Sequence, residues 1–325
     1  MRFAIIGAGA IGAYIGAKLY KAGEEVLLIA RGQHLEAMKT QGVRVQSAEG
    51  DFVAHPPATD DWSDTGTFDY VLLTVKAHGL TRIAPRLAPL IGPETAVVST
   101  QNGLPWWYFQ RHDGPLQGTD LEMTDPGGAI GRSIDPSQVI GCVVYPATVI
   151  VEPGVIRHIE GDRLAIGEPD GTRSERCKRL SAALRSAGFK CPVRRDIRHD
   201  IWVKLAGNAA FNPLSALTGA TLLEIASDRE GRELARSAME EAYSVAEALG
   251  VNISVTIDQR IAGAENVGHH KTSMLQDAET GRQMELDSVV GVVVELGEML
   301  GIPTPHTSAL YASAKLLDRQ LAKTR

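Results

Sequence analysis

The chain opens on an unbroken apolar run, Phe3-Ala4-Ile5-Ile6, that passes into glycines and then into a helical stretch from Ala13 to Ala22 closed by Gly23. A short continuous apolar run bounded by turn residues is the pattern of a strand buried on both faces. It recurs at Glu25 to Ala30, Phe68 to Val75 and Ala96 to Thr100, with a short hairpin expected over Val43 to Gln46 and Phe52 to Ala54. From Val139 to Ile166 the chain becomes β-rich. Strands are expected over Gly141 to Val151, Val155 to His158 and Arg163 to Ile166, separated by turns at Pro153-Gly154 and Gly161-Asp162. A helix over Arg173 to Ala187 and a strand over Cys191 to Arg194 close this half. Strands then give way to helical periodicity: Ile197 to Ala210, Asp228 to Leu249 behind a Ser227-x-x-Glu230 capping box and before Gly250, Ile257 to Ala264, Met284 to Leu300, and Thr307 to the end.

The first strand-to-helix junction carries chemistry. Gly7-Ala8-Gly9-Ala10-Ile11-Gly12 follows a strand and precedes a helix, the context in which G-x-G-x-x-G binds a dinucleotide. Gly7 permits a tight turn, Gly9 lets backbone approach a pyrophosphate, and Gly12 lets the helix pack close to the strand. The helix N-terminus then meets the anion. Arg2, the small apolar residues that follow and Lys18 also match a signal peptide or short anchor, but glycines without a leucine run suit a turn better than a lipid-facing helix. The second strand ends at Arg31, where an NAD-preferring site would place an acidic residue for the ribose hydroxyl. A basic residue there favours the 2′-phosphate of NADPH and disfavours an S-adenosylmethionine site. A surface arginine ending a strand is the plainer alternative, and His34 reads as a helix-start residue.

These patterns give an α/β class: a Rossmann-like dinucleotide-binding domain over 1–195, followed by an all-helical substrate domain over 196–325, with a cleft expected between them. The length of 325 residues and 44% hydrophobic content supply core for two domains. A net charge of −6 without a long basic block gives no support for a nucleic-acid partner, and no further stretch approaches a membrane span. Cys142, Cys177 and Cys191 lack metal spacing and are odd in number, which fits a reducing cytoplasm. No metal site is expected, since His269 and His270 lack a third ligand.

Ligands of parallel sheets sit at the carboxyl ends of strands, which puts Lys76 and Asn102 on the cofactor side. In the helical half, Lys204 and Asn208 share a face of small and apolar neighbours, and Asn212 continues the stripe up to Pro213, which should kink or end the helix there. Such polar groups line a site or pair with one another. Glu285 opens a very apolar helix, where it serves the helix N-terminus or pairs with Lys204. Reduction of a ketone needs a proton donor and positive charge beside the nascent alkoxide.

With these residues in view, the chain resembles the ketopantoate reductase family over nearly its whole length. The resemblance is carried by the glycine motif with Tyr14 and Gly16, Arg31, Thr74-Val75-Lys76-Ala77, Gln101-Asn102-Gly103, Trp202-x-Lys204-Leu205-x-x-Asn208-x-x-x-Asn212-Pro213-Leu214, and Ser273-Met274-Leu275-Gln276-Asp277 leading to Glu285-Leu286-Asp287. It implies NADPH-dependent reduction of a 2-oxo acid, 2-dehydropantoate first, to the (R)-2-hydroxy acid. It also implies Lys204 as the catalytic lysine with Glu285 its partner, and Asn208, Asn212, Ser273 and Asn102 as substrate ligands. Gly7, Ala8, Gly9, Ala10, Ile11, Gly12, Arg31, Lys76 and Asn102 would contact the cofactor. A homodimer stays open.

Two departures bear on the substrate. After Gly103 stand Leu104-Pro105-Trp106-Trp107-Tyr108-Phe109 and an extra segment to about Gln138, and Leu222 stands where some members carry a further amide. The aromatics either pack that segment onto the first domain or wall the substrate pocket. The competing functions are a paralogous reductase of a bulkier 2-oxo acid and a non-catalytic NADPH sensor, the latter weakened by the presence of both Lys204 and Glu285.

Overall fold

A computed structural model describes residues 1–323 and resolves into two compact units. The first comprises Met1–Gln101, Gln110–His112 and Gly127–Ile197; the second comprises Asn102–Phe109, Asp113–Pro126 and Arg198–Arg325. This differs from the contiguous 1–195 and 196–325 expected from the sequence, because Asn102–Phe109 and Asp113–Pro126 count with the helical unit.

In the first unit, β1 (Arg2–Ile6), α1 (Ala10–Lys21), β2 (Glu25–Ile29), α2 (Gly32–Gln41), β3 (Val43–Gln46), β4 (Phe52–Ala54), β5 (Ala58–Thr59), β6 (Tyr70–Leu73), α3 (Ala77–Ile83) and β7 (Ala96–Ser99) follow in order. After them come β8 (Val139–Val144), β9 (Ala147–Glu152), β10 (Val155–Glu160), β11 (Leu164–Gly167) and α4 (Glu175–Ser186). Seven strands form one sheet in the order β11-β8-β7-β6-β1-β2-β5, parallel except where β11 meets β8. The central strands are apolar throughout: Phe3 to Ile6 and Tyr70 to Leu73 are all buried. The expected hairpin is β3 with β4, and it belongs to a second sheet, β4-β3-β10-β9. The expected strand at 141–151 is two, divided at Tyr145-Pro146. The stretch expected as a strand at Cys191 to Arg194 makes only isolated bridges to β11, since Pro192 has no N–H to continue a ladder.

The second unit is helical: α5 (Ile197–Thr218, whose first residue counts with the sheet), α6 (Leu222–Ser227), α7 (Arg229–Ala248), α8 (Ile257–Val267), α9 (Ser273–Glu279), α10 (Val292–Leu300) and α11 (Pro305–Ala322). The last residues of the expected final helix, 324–325, lie outside the described residues. Two expectations fail here. Helix α5 runs on through Pro213 to Thr218. One backbone hydrogen bond is lost at the proline, but Ala210, Phe211 and Leu214 on either side are core residues, and their burial outweighs it. The cap of α7 is Asp228, whose carboxylate accepts from the Gly231 N–H at 2.7 Å, while Ser227 ends α6.

The aromatic run packs inside this unit. The Trp202 indole N–H donates to the Tyr108 hydroxyl at 2.8 Å, Arg198 Nε donates to the Tyr108 carbonyl at 2.8 Å, and all of Trp106 to Phe109 are buried. The start of α11 rests on a buried carboxylate: Glu241 accepts from the His306 and Thr307 N–H groups at 2.9 and 2.8 Å and from the Thr307 hydroxyl at 2.7 Å. Burial alone would raise its pKa, but the hydrogen bonds from Thr307 and His306 together hold it below the ordinary 4.5. A depressed carboxylate stabilises the fold above its unfolded pKa and loses that contribution as pH falls through the folded value. Glu241→Gln is therefore expected to cost about 2 kcal/mol at pH 7 and to flatten the loss of stability below pH 4.5, read from urea unfolding between pH 3 and 7. Identical pH profiles for the two proteins would remove Glu241 from that role.

Candidate active site

The glycine loop is built by crowding. Gly7 has φ +90°, and a Cβ there would lie 2.4 Å from Val75 Cγ1 and 2.9 Å from the Val75 nitrogen. At Gly12 a Cβ would lie 2.4 Å from Thr74 Oγ1 and 2.7 Å from the Gly7 carbonyl oxygen. The Thr74 hydroxyl donates to that same carbonyl at 2.9 Å, and the Gly7 and Ala8 N–H groups both donate to the Ile29 carbonyl at 3.0 and 2.8 Å. The loop is thus fastened to β1, β2 and the end of β6 at once. Gly9 differs, because the nearest atom to its would-be Cβ is 3.9 Å away. The space over Gly9 is open, and the first-turn N–H groups of α1, Ala10, Ile11 and Gly12, have no intrahelical acceptors. An open cradle lined by N–H donors at a helix N-terminus fits a dinucleotide pyrophosphate.

Arg31 is exposed as the N-cap of α2, just beyond β2. His34, in the first turn of α2, accepts the Gly154 N–H on Nδ1 at 2.9 Å, and burial lowers its pKa against an opposing hydrogen bond to the Ala8 backbone. It is a structural helix-start residue beside the glycine loop. Lys76 is half-buried as the N-cap of α3, following β6.

In the helical unit, Lys204 and Asn208 are half-buried on successive turns of α5, and Asn212, one turn on, is 5% exposed. Asn208 Nδ2 donates to Asn102 Oδ1 at 3.0 Å, so two residues far apart in sequence meet side chain to side chain. Ser273 is exposed as the first residue of α9, and the cap is its neighbour Thr272, whose hydroxyl accepts from the Leu275 N–H at 3.2 Å. Glu285 lies half-buried just ahead of a π turn, Asp287–Gly291, rather than in the first turn of an α-helix reaching from Met284. The sequence reading missed Ser288 in that turn. Its hydroxyl donates to the Asn102 carbonyl at 3.2 Å and its own carbonyl accepts the Leu104 N–H at 2.9 Å. The one signal was Gly103, whose need for φ +91° reads as an ordinary turn until its neighbour is known.

Among the described residues, no group of three or more His, Cys, Asp or Glu could hold a metal ion, and no helix is long and apolar enough to cross a membrane. Sequence models of ketopantoate reductase PanE/ApbA and of its C-terminal region match residues 3–171 and 196–318. The chain belongs to the ketopantoate reductase family. A 2-dehydropantoate 2-reductase of Mesorhizobium japonicum is 50% identical over 318 residues, covering 98% of each chain. Among solved structures, a ketopantoate reductase-like protein of Ralstonia solanacearum MolK2 superposes with a TM-score of 0.94 at 39% identity, covering 98% of each chain. A PanE/ApbA family ketopantoate reductase of Ralstonia eutropha JMP134 gives 0.85 at 30% identity, covering 99% of each. As a member of this family the chain is a nicotinamide-dinucleotide-dependent oxidoreductase acting on a CH–OH group.

The loop geometry separates two kinds of glycine. Gly9→Ala should fold with near wild-type stability and weaken NADPH binding tenfold or more, roughly the scale of losing one charge-assisted contact. Gly12→Ala should instead lose about 1–3 kcal/mol of stability through overpacking. Fluorescence titration with NADPH and thermal melts of both variants read this, and full NADPH affinity in Gly9→Ala would contradict the cradle.

Proposed function

We propose that the chain reduces 2-dehydropantoate to (R)-pantoate with NADPH, in the cytoplasm, as a step toward pantothenate and coenzyme A. The observation that supports it most is the polar stripe of α5, Lys204, Asn208 and Asn212, with Asn102 hydrogen-bonded to Asn208, and the glycine loop of the first unit is built for a dinucleotide. The three cysteines are buried and not joined in disulfides, which suits a reducing compartment. A homodimer is part of the reading.

When bound, the nicotinamide supplies the hydride that reaches the oxo carbon. In this reading Lys204 donates the proton to the carbonyl oxygen as it becomes an alkoxide. The Lys204 charge also stabilises the developing anion before the proton moves. Glu285 orients Lys204 or the substrate hydroxyl, and Asn208, Asn212 and Ser273 hold the oxo acid. Arg31 pairs with the 2′-phosphate, and Lys76 and Asn102 contact the nicotinamide end. Leu222, half-buried at the start of α6, packs against the helical core, and a bulkier 2-oxo acid is the competing substrate.

Lys204→Ala is expected to lower kcat/KM by about 10² to 10⁴ while NADPH still binds. Near-normal turnover would move the donor elsewhere. Arg31→Ala should remove most of a roughly 10- to 150-fold preference for NADPH over NADH and spare NADH, and equal use of both cofactors by the wild type would rule this role out. NADPH oxidation against a panel of 2-oxo acids that includes ketopantoate tests the substrate: a higher kcat/KM for a longer, more apolar oxo acid would replace ketopantoate.

A further inference from the structure

The π turn Asp287–Gly291 is held in place from one side and grips a loop on the other. A π turn is rare and persists where packing supports it, often at functional sites. Here Asp287 accepts from the Tyr311 hydroxyl at 2.6 Å and pairs with Lys315, and a Cβ at Gly291 would lie 2.8 Å from the Tyr311 ring. The widened backbone turns both polar groups of Ser288 onto Asn102-Gly103-Leu104. Its hydroxyl donates to the Asn102 carbonyl at 3.2 Å and its carbonyl accepts from the Leu104 N–H at 2.9 Å, so the two bonds bracket Gly103. A Cβ at Gly103 would lie 2.1 Å from the Ser288 carbonyl oxygen, and φ is +91°. Ser288 is buried, 3% exposed, while Asn102 is half-buried.

We propose that Ser288 is a positioning residue for the reduction: by clamping the Asn102–Gly103 turn it fixes the Asn102 amide and, through it, the Asn208 amide that meets the oxo acid. This rests on the reading of Asn208 as a substrate ligand. An amide is useful to a substrate only while its oxygen and nitrogen point in fixed directions. Asn208 commits Nδ2 to Asn102 Oδ1 at 3.0 Å, leaving Oδ1 as its remaining acceptor. If the turn slips, Asn102 moves off that bond and Asn208 can rotate.

Ser288→Ala keeps the backbone bond to Leu104 and deletes the hydroxyl. The expected result is a loss of about 5- to 20-fold in kcat/KM for the oxo acid, carried mainly by KM, in a protein whose Tm stays within a few degrees of the wild type. In an Asn208→Ala background the same substitution should cost less than about twofold, because the group it positions is gone. A role in stability alone would leave kcat/KM intact, or lower it equally in both backgrounds, and either outcome overturns the proposal. Tyr311→Phe, which loosens the π turn while leaving Ser288, should show the same signature at about half the logarithmic loss, and serves should Ser288→Ala fail to fold. Hydrogen exchange at the Leu104 amide reads the clamp without turnover and should accelerate at least about tenfold in Ser288→Ala. Faster exchange in a protein whose wild type reduces no 2-oxo acid would retain the clamp and reject the functional reading. Unchanged exchange would reject the clamp.

Discussion

At a few points in this protein distant elements approach a glycine so closely that no Cβ can stand between them. At Gly12 the obstacle is the Thr74 hydroxyl, at Gly7 it is Val75, and at Gly103 it is the carbonyl of Ser288. Each contact joins elements distant in sequence and fixes a surface that faces a ligand in the proposed reaction. The approach of α1 to β1 and β6 sets the height of its N-terminal N–H groups, and the approach of the π turn to Gly103 sets the bearing of Asn102. Gly9 is the informative exception, since among the described residues the nearest atom to its would-be Cβ is 3.9 Å away.

The remaining polar burial follows the same logic of fixed geometry at a cost covered by hydrogen bonds. Glu241 at the head of α11 and Glu168, 2% exposed and paired with Arg176 and the Ser174 hydroxyl, are carboxylates fully supplied with donors. Neither lies on the α5 stripe. Glu241 accepts helix-start N–H groups directly, whereas Glu168 binds the Ser174 hydroxyl, which itself caps α4 by accepting the Cys177 N–H. In the proposed reaction Lys204, Asn208 and Asn212, in the middle of a helix whose own backbone needs no such help, serve the ligand instead.

The central strands were legible because they are apolar without interruption, and the glycine loop because its spacing has a steric meaning. The stripe on α5 followed from a spacing of four. What eluded the sequence was governed by tertiary contact. Pro213 alone argues for a break, yet the core around Phe211 carries the helix through it. A Ser-x-x-Glu pattern at 227 looked like a capping box because the competing cap, Asp228, stands one position on. The π turn has no sequence periodicity at all, so Ser288 could be found only from what it touches.

The aromatic run from Trp106 to Phe109 has a consequence for how the chain can be divided. Its residues are embedded among the helices, with Tyr108 bonded to Trp202 and Arg198, although they are encoded between two strands of the nucleotide sheet. A fragment ending near residue 195 would carry these rings without the surface that covers them, and would present a sticky patch to solvent. The complementary fragment would have an indole-lined void at Trp202. A designed chimera that exchanges the helical half of this chain therefore has to move a discontinuous gene segment along with the helices, because packing and not linear order sets the unit.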